Sequence, residues 1–320
     1  MYRKLLSLLL AALMCLSSGA LADIGSAVSG DIGRSDMTPE QIREFAASLP
    51  GDVPLTGEFS LLGEWFDVSA EELDLDAAEG ALTGEDVKCL VSFMPSLKKL
   101  TLKAHTELTN EDMIPIVDAH PEITFVWTLR LQTYELPTDL TAFSTKVGEV
   151  RTSTLTSEDC QLLRYAPNLR ALDLGHHHIG DLSFLEYLPE LRILILVDNN
   201  VRDITPIGSL EHLQYLELFV NPISDISPLA NCTELLDLNL SYLWFHTLKP
   251  LEACTKLERF WCVYTSLSYT EKQNFKKAHP GCDCLFLSEG SSTYGTWRKH
   301  PRYFQYREMF DTGVWKEFTD

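Results

Sequence analysis

The spacing of leucines constrains this chain more than any other feature of its sequence. A Leu-x-x-Leu-x-Leu pattern returns every 22 residues, beginning at Leu169, Leu191, Leu213, Leu235 and, with substitutions, Leu257. Apolar residues between these patterns keep the same phase, so each unit repeats one arrangement. A single unit has too little apolar surface to exclude water, whereas stacked units share a continuous core. The period therefore predicts a solenoid.

Alternation within each pattern predicts a strand, because successive strand residues point to opposite faces. The leucines would face the core, and the residues between them would face outward from a parallel sheet on the concave side. Pro206 and Pro228 favour short helices and turns on the convex side. Asn199 and Asn221 stand at the turns, where an amide side chain can satisfy backbone groups.

The run from Leu191 to Ile207 reads Leu-x-x-Leu-x-Leu-x-x-Asn-x-Val-x-Asp-Ile-x-Pro-Ile. It resembles the 22-residue repeats of internalin-like bacterial leucine-rich-repeat proteins, and the resemblance covers residues 165–267, about a third of the chain. It implies an α/β solenoid, a right-handed leucine-rich-repeat superhelix with a parallel concave β-sheet. It also implies a surface or secreted module that binds other macromolecules, without naming the partner.

The rest of the chain divides around these repeats. Residues 1–22 resemble an export signal, with Arg3 and Lys4 before an apolar run and a small-x-small pattern that predicts cleavage after Ala22. Lipidation at Cys15 is the alternative. We expect the following further segments: 23–36, a flexible lead-in; 37–68, an N-terminal cap; 69–164, longer helix-containing repeats; 165–288, the 22-residue repeats and a final strand; 289–320, an aromatic-rich C-terminal cap or tail.

Helix N-cap residues support the assignment of the N-terminal cap and of the longer repeats. Thr38 precedes Pro39 at the start of an amphipathic stretch that ends at Ser48. The longer repeats carry threonine N-caps followed by acidic residues, at Thr83, Thr109 and Thr156. Their strands are expected at three apolar patterns that begin at Leu97, Ile123 and Val147.

Outward-facing strand positions give the candidate site. They include large apolar and aromatic side chains, which usually mark an interface when they are exposed. The predicted ligand-binding residues of the concave face are Ile193, Ile195, Tyr215, Glu217, Phe219, Arg259, Trp261 and Phe286. The alternative is that the chain's own aromatic tail covers this patch. The tail itself is expected to be ordered over residues 297–310 and to pack on the C-terminal end of the stack, near Trp261 and Phe286.

Charge and motifs exclude several function classes. The formal net charge of −20 opposes binding to nucleic acid and to anionic membranes, and no later segment is apolar enough to span a bilayer. We identify no hydrolase, phosphate-binding or dinucleotide-binding motif, and we expect no catalytic, cofactor-binding or metal-binding residues. The residues 176–178, three consecutive histidines, are interpreted as a solvated turn rather than a metal site.

The cysteines are also interpreted as structural residues rather than as metal ligands. Cys282 is placed in the core of the final strand and Cys284 outside it, with their side chains diverging. Cys232 and Cys254 occupy one position in adjacent repeats, either as core thiols or as a disulfide.

The sequence thus predicts an exported, non-catalytic monomer that binds a protein or a glycan through its concave face, secreted from or on the surface of a bacterium. The alternatives are a secreted enzyme with a site between tail and solenoid, and a structural envelope component.

Overall fold

The computed structural model describes residues 29–50, 53–146, 154–287 and 296–319. They divide into two units, one of residues 29–70 with 88–96, and one of residues 71–87 with 97–319. The expected export signal and the strand pattern at Val147 lie outside the described residues.

The first unit contains a three-stranded sheet. Strand β1 (Gly30–Ser35) pairs in parallel with β2 (Leu55–Leu61), and β2 pairs antiparallel with β3 (Glu64–Asp67). Helix α1 (Pro39–Ser48) connects β1 to β2, and its Thr38 forms the expected capping box. The prediction of a flexible lead-in is wrong for residues 30–35, which are a strand. Gly30 permits this pairing, because a Cβ there would lie 2.2 Å from the Pro54 carbonyl oxygen. The role of residues 37–68 as a cap stays a prediction.

Longer helix-containing repeats come next. Strands β4 (Glu72–Asp74), β5 (Lys99–Thr101) and β6 (Thr124–Val126) form a parallel sheet, and helices α2 (Gly84–Phe93) and α3 (Asn110–Ala119) follow the first two strands. The expected threonine caps are present. The Thr109 hydroxyl accepts a hydrogen bond from the Asp112 backbone at 3.2 Å, and Thr83 does the same for Asp86.

A hairpin interrupts the repeats, and the sequence reasoning missed it. Strands β7 (Thr128–Leu131) and β8 (Tyr134–Pro137) pair antiparallel. The next strand, β9 (Ala142–Ser144), lies five residues before the predicted start at Val147 and pairs with the first 22-residue repeat. The short helix α4 (Ser157–Cys160) follows the Thr156 cap.

The 22-residue repeats continue the sheet that β9 begins. It has seven strands, all parallel, in the order β15 to β9. The strands are β10 (Ala171–Asp173), β11 (Ile193–Ile195), β12 (Tyr215–Glu217), β13 (Asp237–Asn239), β14 (Arg259–Trp261) and β15 (Asp283–Leu285). Short 3-10 helices alternate with most strands, at Ser183–Tyr187, Thr205–Ser209, Ser227–Asn231 and Lys249–Ala253. This is the solenoid that the period predicts.

The leucines face the core as predicted. Six strand leucines are fully buried: Leu194, Leu196, Leu216, Leu218, Leu238 and Leu240. The turn asparagines also act as expected. Asn221 accepts a hydrogen bond from the Val201 backbone at 3.0 Å and donates to the Leu196 and Leu218 carbonyls, and Asn199 bridges its neighbouring repeats in the same way.

The final strand departs from the predicted register by one residue. Cys284 pairs with Phe260, and Leu285 pairs with Trp261. This repeat contains helix α5 (Tyr269–Ala278), and the register lets Phe286 pack its ring against Phe260, with centroids 5.8 Å apart. The placement of Phe286 on the concave face is therefore wrong, and Leu285 takes that position. The placement of Cys284 on the outward face is also wrong, because Cys284 pairs with the core residue Phe260 and therefore shares its face.

The chain ends in a 3-10 helix (Thr296–Lys299) and helix α6 (Pro301–Thr312). We call residues 296–319 the C-terminal segment. It does not pack on the end of the stack as predicted. Aromatic rings of β14 and α5 already pack in the core of the last repeat, with the Phe260 and Phe275 centroids 4.9 Å apart. The C-terminal segment lies on the face of the seven-stranded sheet.

Candidate functional site

The concave face of the sheet and the C-terminal segment bury one apolar cluster between them. The sheet contributes small and aliphatic residues from β9 to β11 and aromatic residues from β12 and β14: Ala142, Ala171, Ile193, Ile195, Val197, Tyr215 and Trp261. The C-terminal segment contributes Trp297, Tyr306, Met309, Phe310 and Trp315. Trp297 is fully buried, and its ring centroid lies 5.4 Å from that of Trp261 and 5.8 Å from that of Tyr215. These residues make the segment part of a hydrophobic core.

Asp237 anchors the segment electrostatically. Its fully buried carboxylate accepts hydrogen bonds from Arg302 at 2.7 and 3.0 Å, and from Arg259 at 2.7 Å. Arg302 also reaches Glu258 at 2.7 Å. Burial by itself raises the pKa of Asp237, but the hydrogen bonds from Arg302 and Arg259 outweigh it and lower the pKa below its ordinary value. Asp237 is therefore ionised while the segment is docked.

Glu217 forms a second anchor, one strand earlier. Its buried carboxylate accepts hydrogen bonds from the Trp297 indole at 2.9 Å and from the Tyr215 hydroxyl, and Arg298 lies at 3.5 Å. Burial raises the pKa of Tyr215 well above its ordinary value, and the Glu217 charge adds to the effect. The phenol thus remains a hydrogen-bond donor. Arg298 also donates to the Tyr306 hydroxyl at 2.9 Å, which ties α6 to the same network.

The other end of the segment reaches β9. The Gly313 carbonyl accepts hydrogen bonds from the Thr141 and Ala142 amides, each at 3.1 Å, and the Trp315 amide donates to the Thr141 hydroxyl at 2.7 Å. Gly313 has a φ of 72° and ends α6 in the left-handed region that favours glycine. The C-terminal segment therefore crosses the sheet from β14 to β9.

The residues predicted to bind a ligand lie under this segment. Ile193, Ile195, Tyr215, Glu217, Arg259 and Trp261 are buried, and Phe219 is half-buried at the border of the cluster. The structure thus brings seven of the eight together and leaves out Phe286, which lies in the repeat core. Of the two alternatives for the apolar patch, coverage by the chain's own tail is the one observed. Ligand binding at these residues stays a prediction.

A different surface remains exposed beside the sheet. Val220, Tyr242, Trp244 and Tyr264, which we call the strand-end ridge, are 42%, 44%, 68% and 60% exposed. The rings of Tyr242 and Tyr264 stack with centroids 4.7 Å apart and planes at 28°. Large apolar side chains grouped in this way on a surface usually mark a contact site.

Three of the four ridge residues occupy one position in three successive repeats. Val220, Tyr242 and Tyr264 follow the strands at intervals of 22 residues, and their φ angles are 59°, 59° and 53°. Earlier repeats have His176 and Asp198 at this left-handed position. A β-branched or aromatic residue there is uncommon, because the left-handed conformation crowds its Cβ. The change from polar to apolar residues along one repeat position was the sequence signal that our reasoning missed.

The histidines and cysteines have structural partners. His177 is buried rather than solvated, and it replaces the turn asparagine by accepting a hydrogen bond from the Leu155 amide at 3.2 Å. Cys232 and Cys254 are free thiols, and each donates to a backbone carbonyl of the preceding repeat at 3.4 Å. Burial raises the pKa of Cys232 to about 12 and that of Cys254 to about 11. Both cysteines are therefore protonated core residues.

Among the residues that the structure describes, no group of three or more histidine, cysteine or acidic side chains is placed to hold a metal ion. None of the helices in the described ranges is long and apolar enough to cross a membrane.

Comparisons with known proteins agree with the repeat pattern. Residues 189–231 match the family described as Leucine Rich repeats (2 copies), whereas no curated protein sequence matches the chain. Among solved structures, internalin C2 from Listeria monocytogenes is 26% identical over 45% of this chain and 73% of its own, with a TM-score of 0.35. A second Listeria monocytogenes internalin is 16% identical over 87% of this chain and 86% of its own, with a TM-score of 0.38.

A leucine-rich-repeat protein of Leptospira interrogans is 19% identical over 78% of this chain and 69% of its own, with a TM-score of 0.40. The family match over residues 189–231, the 22-residue period and the seven-stranded parallel sheet together show that this chain contains leucine-rich repeats.

Proposed function

We propose that this chain is an exported, non-catalytic module that binds a protein ligand, and that the strand-end ridge is its contact surface. Leucine-rich-repeat proteins of the internalin type generally bind other proteins, which supports the general function. The single observation that carries the proposed site is the exposure of four large apolar side chains, Val220, Tyr242, Trp244 and Tyr264, beside a concave face that is already occupied.

The chemistry of the ridge suits a protein partner. Tyrosine and tryptophan combine large apolar area with a polar group, and they are enriched among the residues that dominate binding free energy. The stacked pair of Tyr242 and Tyr264 holds both rings in place before binding, which reduces the entropy lost on association. An acidic chain with net charge −20 also favours a partner whose contact surface is neutral or basic.

Paired variants test this proposal. The immobilised full chain is incubated with proteins from the extracellular medium and cell surface of the native host. Proteins retained by the wild type are compared with those retained by Tyr242→Ala and Trp244→Ala chains. A partner that depends on the ridge should lose at least about 2 kcal/mol of binding free energy, or roughly thirtyfold in affinity, in each variant.

Phe304→Ala is the matched control. Phe304 is an aromatic residue with 61% exposure on α6, outside the ridge, and its removal should leave binding unchanged. Melting temperatures of the three variants should stay near that of the wild type, because exposed substitutions usually change stability by no more than about 0.5 kcal/mol. Equal binding by all four chains would exclude the ridge as the site.

A further inference from the structure

The C-terminal segment binds the concave face in the manner of a ligand. It carries its apolar residues and two arginines on one short stretch, and its partners on the sheet are distant in sequence. The hydrogen bond between Trp297 and Glu217 joins residues 80 positions apart, and the Arg302 contacts with Asp237 join residues 65 apart. Such a segment is a compact recognition element, because one short stretch of chain provides both the apolar contacts and the ion pairs.

The sheet beneath the segment keeps charged groups that a permanent core does not need. Glu217 and Asp237 are fully buried, and the segment supplies Arg298 and the Trp297 indole to Glu217 and Arg302 to Asp237. Replacing a buried ion pair with apolar side chains of similar size is often neutral or stabilising, so stability alone does not account for these carboxylates. Carboxylates at these positions would be hydrated if the segment left.

The docked arrangement also leaves polar groups without partners. Within the described residues, Asn239 Nδ2, Arg259 Nη2 and Trp315 Nε1 are buried and have no hydrogen-bond partner. All three belong to the interface, since Asn239 and Arg259 lie on β13 and β14 of the covered sheet and Trp315 belongs to the segment. A buried donor without a partner opposes docking, because its lost hydration is not replaced.

From these observations we propose that the concave face is a binding site for an aromatic, arginine-bearing helix, and that the C-terminal segment of a second copy of this chain can occupy it. The segment of a second copy can make the same contacts, because it presents Trp297, Arg298 and Arg302 to the same Glu217 and Asp237. Exchange of identical segments between chains is a common route from monomer to dimer. This proposal concerns the concave face and is independent of the strand-end ridge.

A peptide of residues 296–319 is the probe. The fluorescently labelled peptide is titrated with the full chain, and its anisotropy is recorded. In the wild-type chain the peptide competes with a tethered segment whose effective concentration is on the order of millimolar. A full chain carrying Arg302→Gln in its own segment should therefore bind the wild-type peptide more tightly than the wild-type chain does. A segment that only stabilises the fold would give no such gain.

Two peptide variants separate recognition from simple charge attraction. Arg302→Gln removes the group that contacts Asp237, whereas Lys316→Gln removes an equal charge that pairs with Glu308 of the same segment. Arg302→Gln should weaken peptide binding by roughly thirtyfold, as expected when one partner of a buried charge pair is removed. Lys316→Gln should bind like the wild type.

Equal loss in both peptide variants, or no saturable binding to either chain, would overturn the proposal. If the Arg302→Gln chain does not fold by circular dichroism, Arg298→Gln serves in its place, since Arg298 makes the second, longer contact. Sedimentation of the wild-type chain should also show a dimer fraction that rises with concentration. A chain that binds the peptide but stays monomeric at every concentration would exclude the second copy as the occupant.

Discussion

Replacing Trp297 with alanine removes the largest side chain that the C-terminal segment buries. Trp297 is fully buried between Tyr215 and Trp261, and its indole donates to Glu217 at 2.9 Å. Removal of a buried tryptophan costs about 3–5 kcal/mol through lost apolar burial and the cavity left behind. Glu217 keeps Tyr215 and Arg298 as partners, so the missing hydrogen bond adds less than the burial does.

Thermal unfolding and hydrogen exchange measure this effect. In domains of 150–250 residues, each kcal/mol shifts the melting temperature by about 2–4 °C, so Trp297→Ala should lower it by roughly 6–20 °C. The amides of α6 should exchange faster, because Trp297 directly precedes this helix and joins the segment to the sheet. Phe304→Ala, in the same segment but exposed on α6, is the control and should match the wild type. Coincident melting curves and unchanged α6 exchange for Trp297→Ala would refute the view that this side chain holds the segment in place.

Three further predictions use other parts of the second unit. Leu216→Ala should lower the free energy of unfolding by about 2–5 kcal/mol in urea titrations, because Leu216 is fully buried in the repeat core; a change below 1 kcal/mol would contradict that register. Asp237, whose pKa is lowered in the folded state, stabilises docking above its unfolded pKa of about 3.9. That contribution should disappear as the pH falls through the lower folded pKa, so α6 should lose protection from exchange in acid, and an unchanged profile from pH 6 to 2 would argue against the ion pair. In brief alkylation of the native chain, Cys284, whose pKa the Cys282 thiol lowers by hydrogen bonding, should react before Cys232 and Cys254; peptide mass mapping showing the reverse order would contradict this assignment.

The sequence alone determined the repeat core. Period-22 leucines specify which side of each strand is buried, because a shift of one residue would expose the whole set. The threonine caps and turn asparagines were equally predictable, since their hydrogen bonds join positions whose spacing the sequence shows directly. These features are local, or they recur identically from one repeat to the next.

Pairing between unlike segments was decided only in the tertiary structure. Alternation showed that Ile193, Tyr215 and Trp261 leave the repeat core, but it could not show what covers them. Their cover comes from residues dozens of positions away, and its placement depends on apolar area and on the Arg302 and Asp237 contact together. The last strand shifted by one residue for the same reason, because the burial of the Phe286 ring against α5 outweighed the leucine-like pattern. Where the repeat ends, the chain loses the neighbour that fixes its register, and tertiary packing decides it.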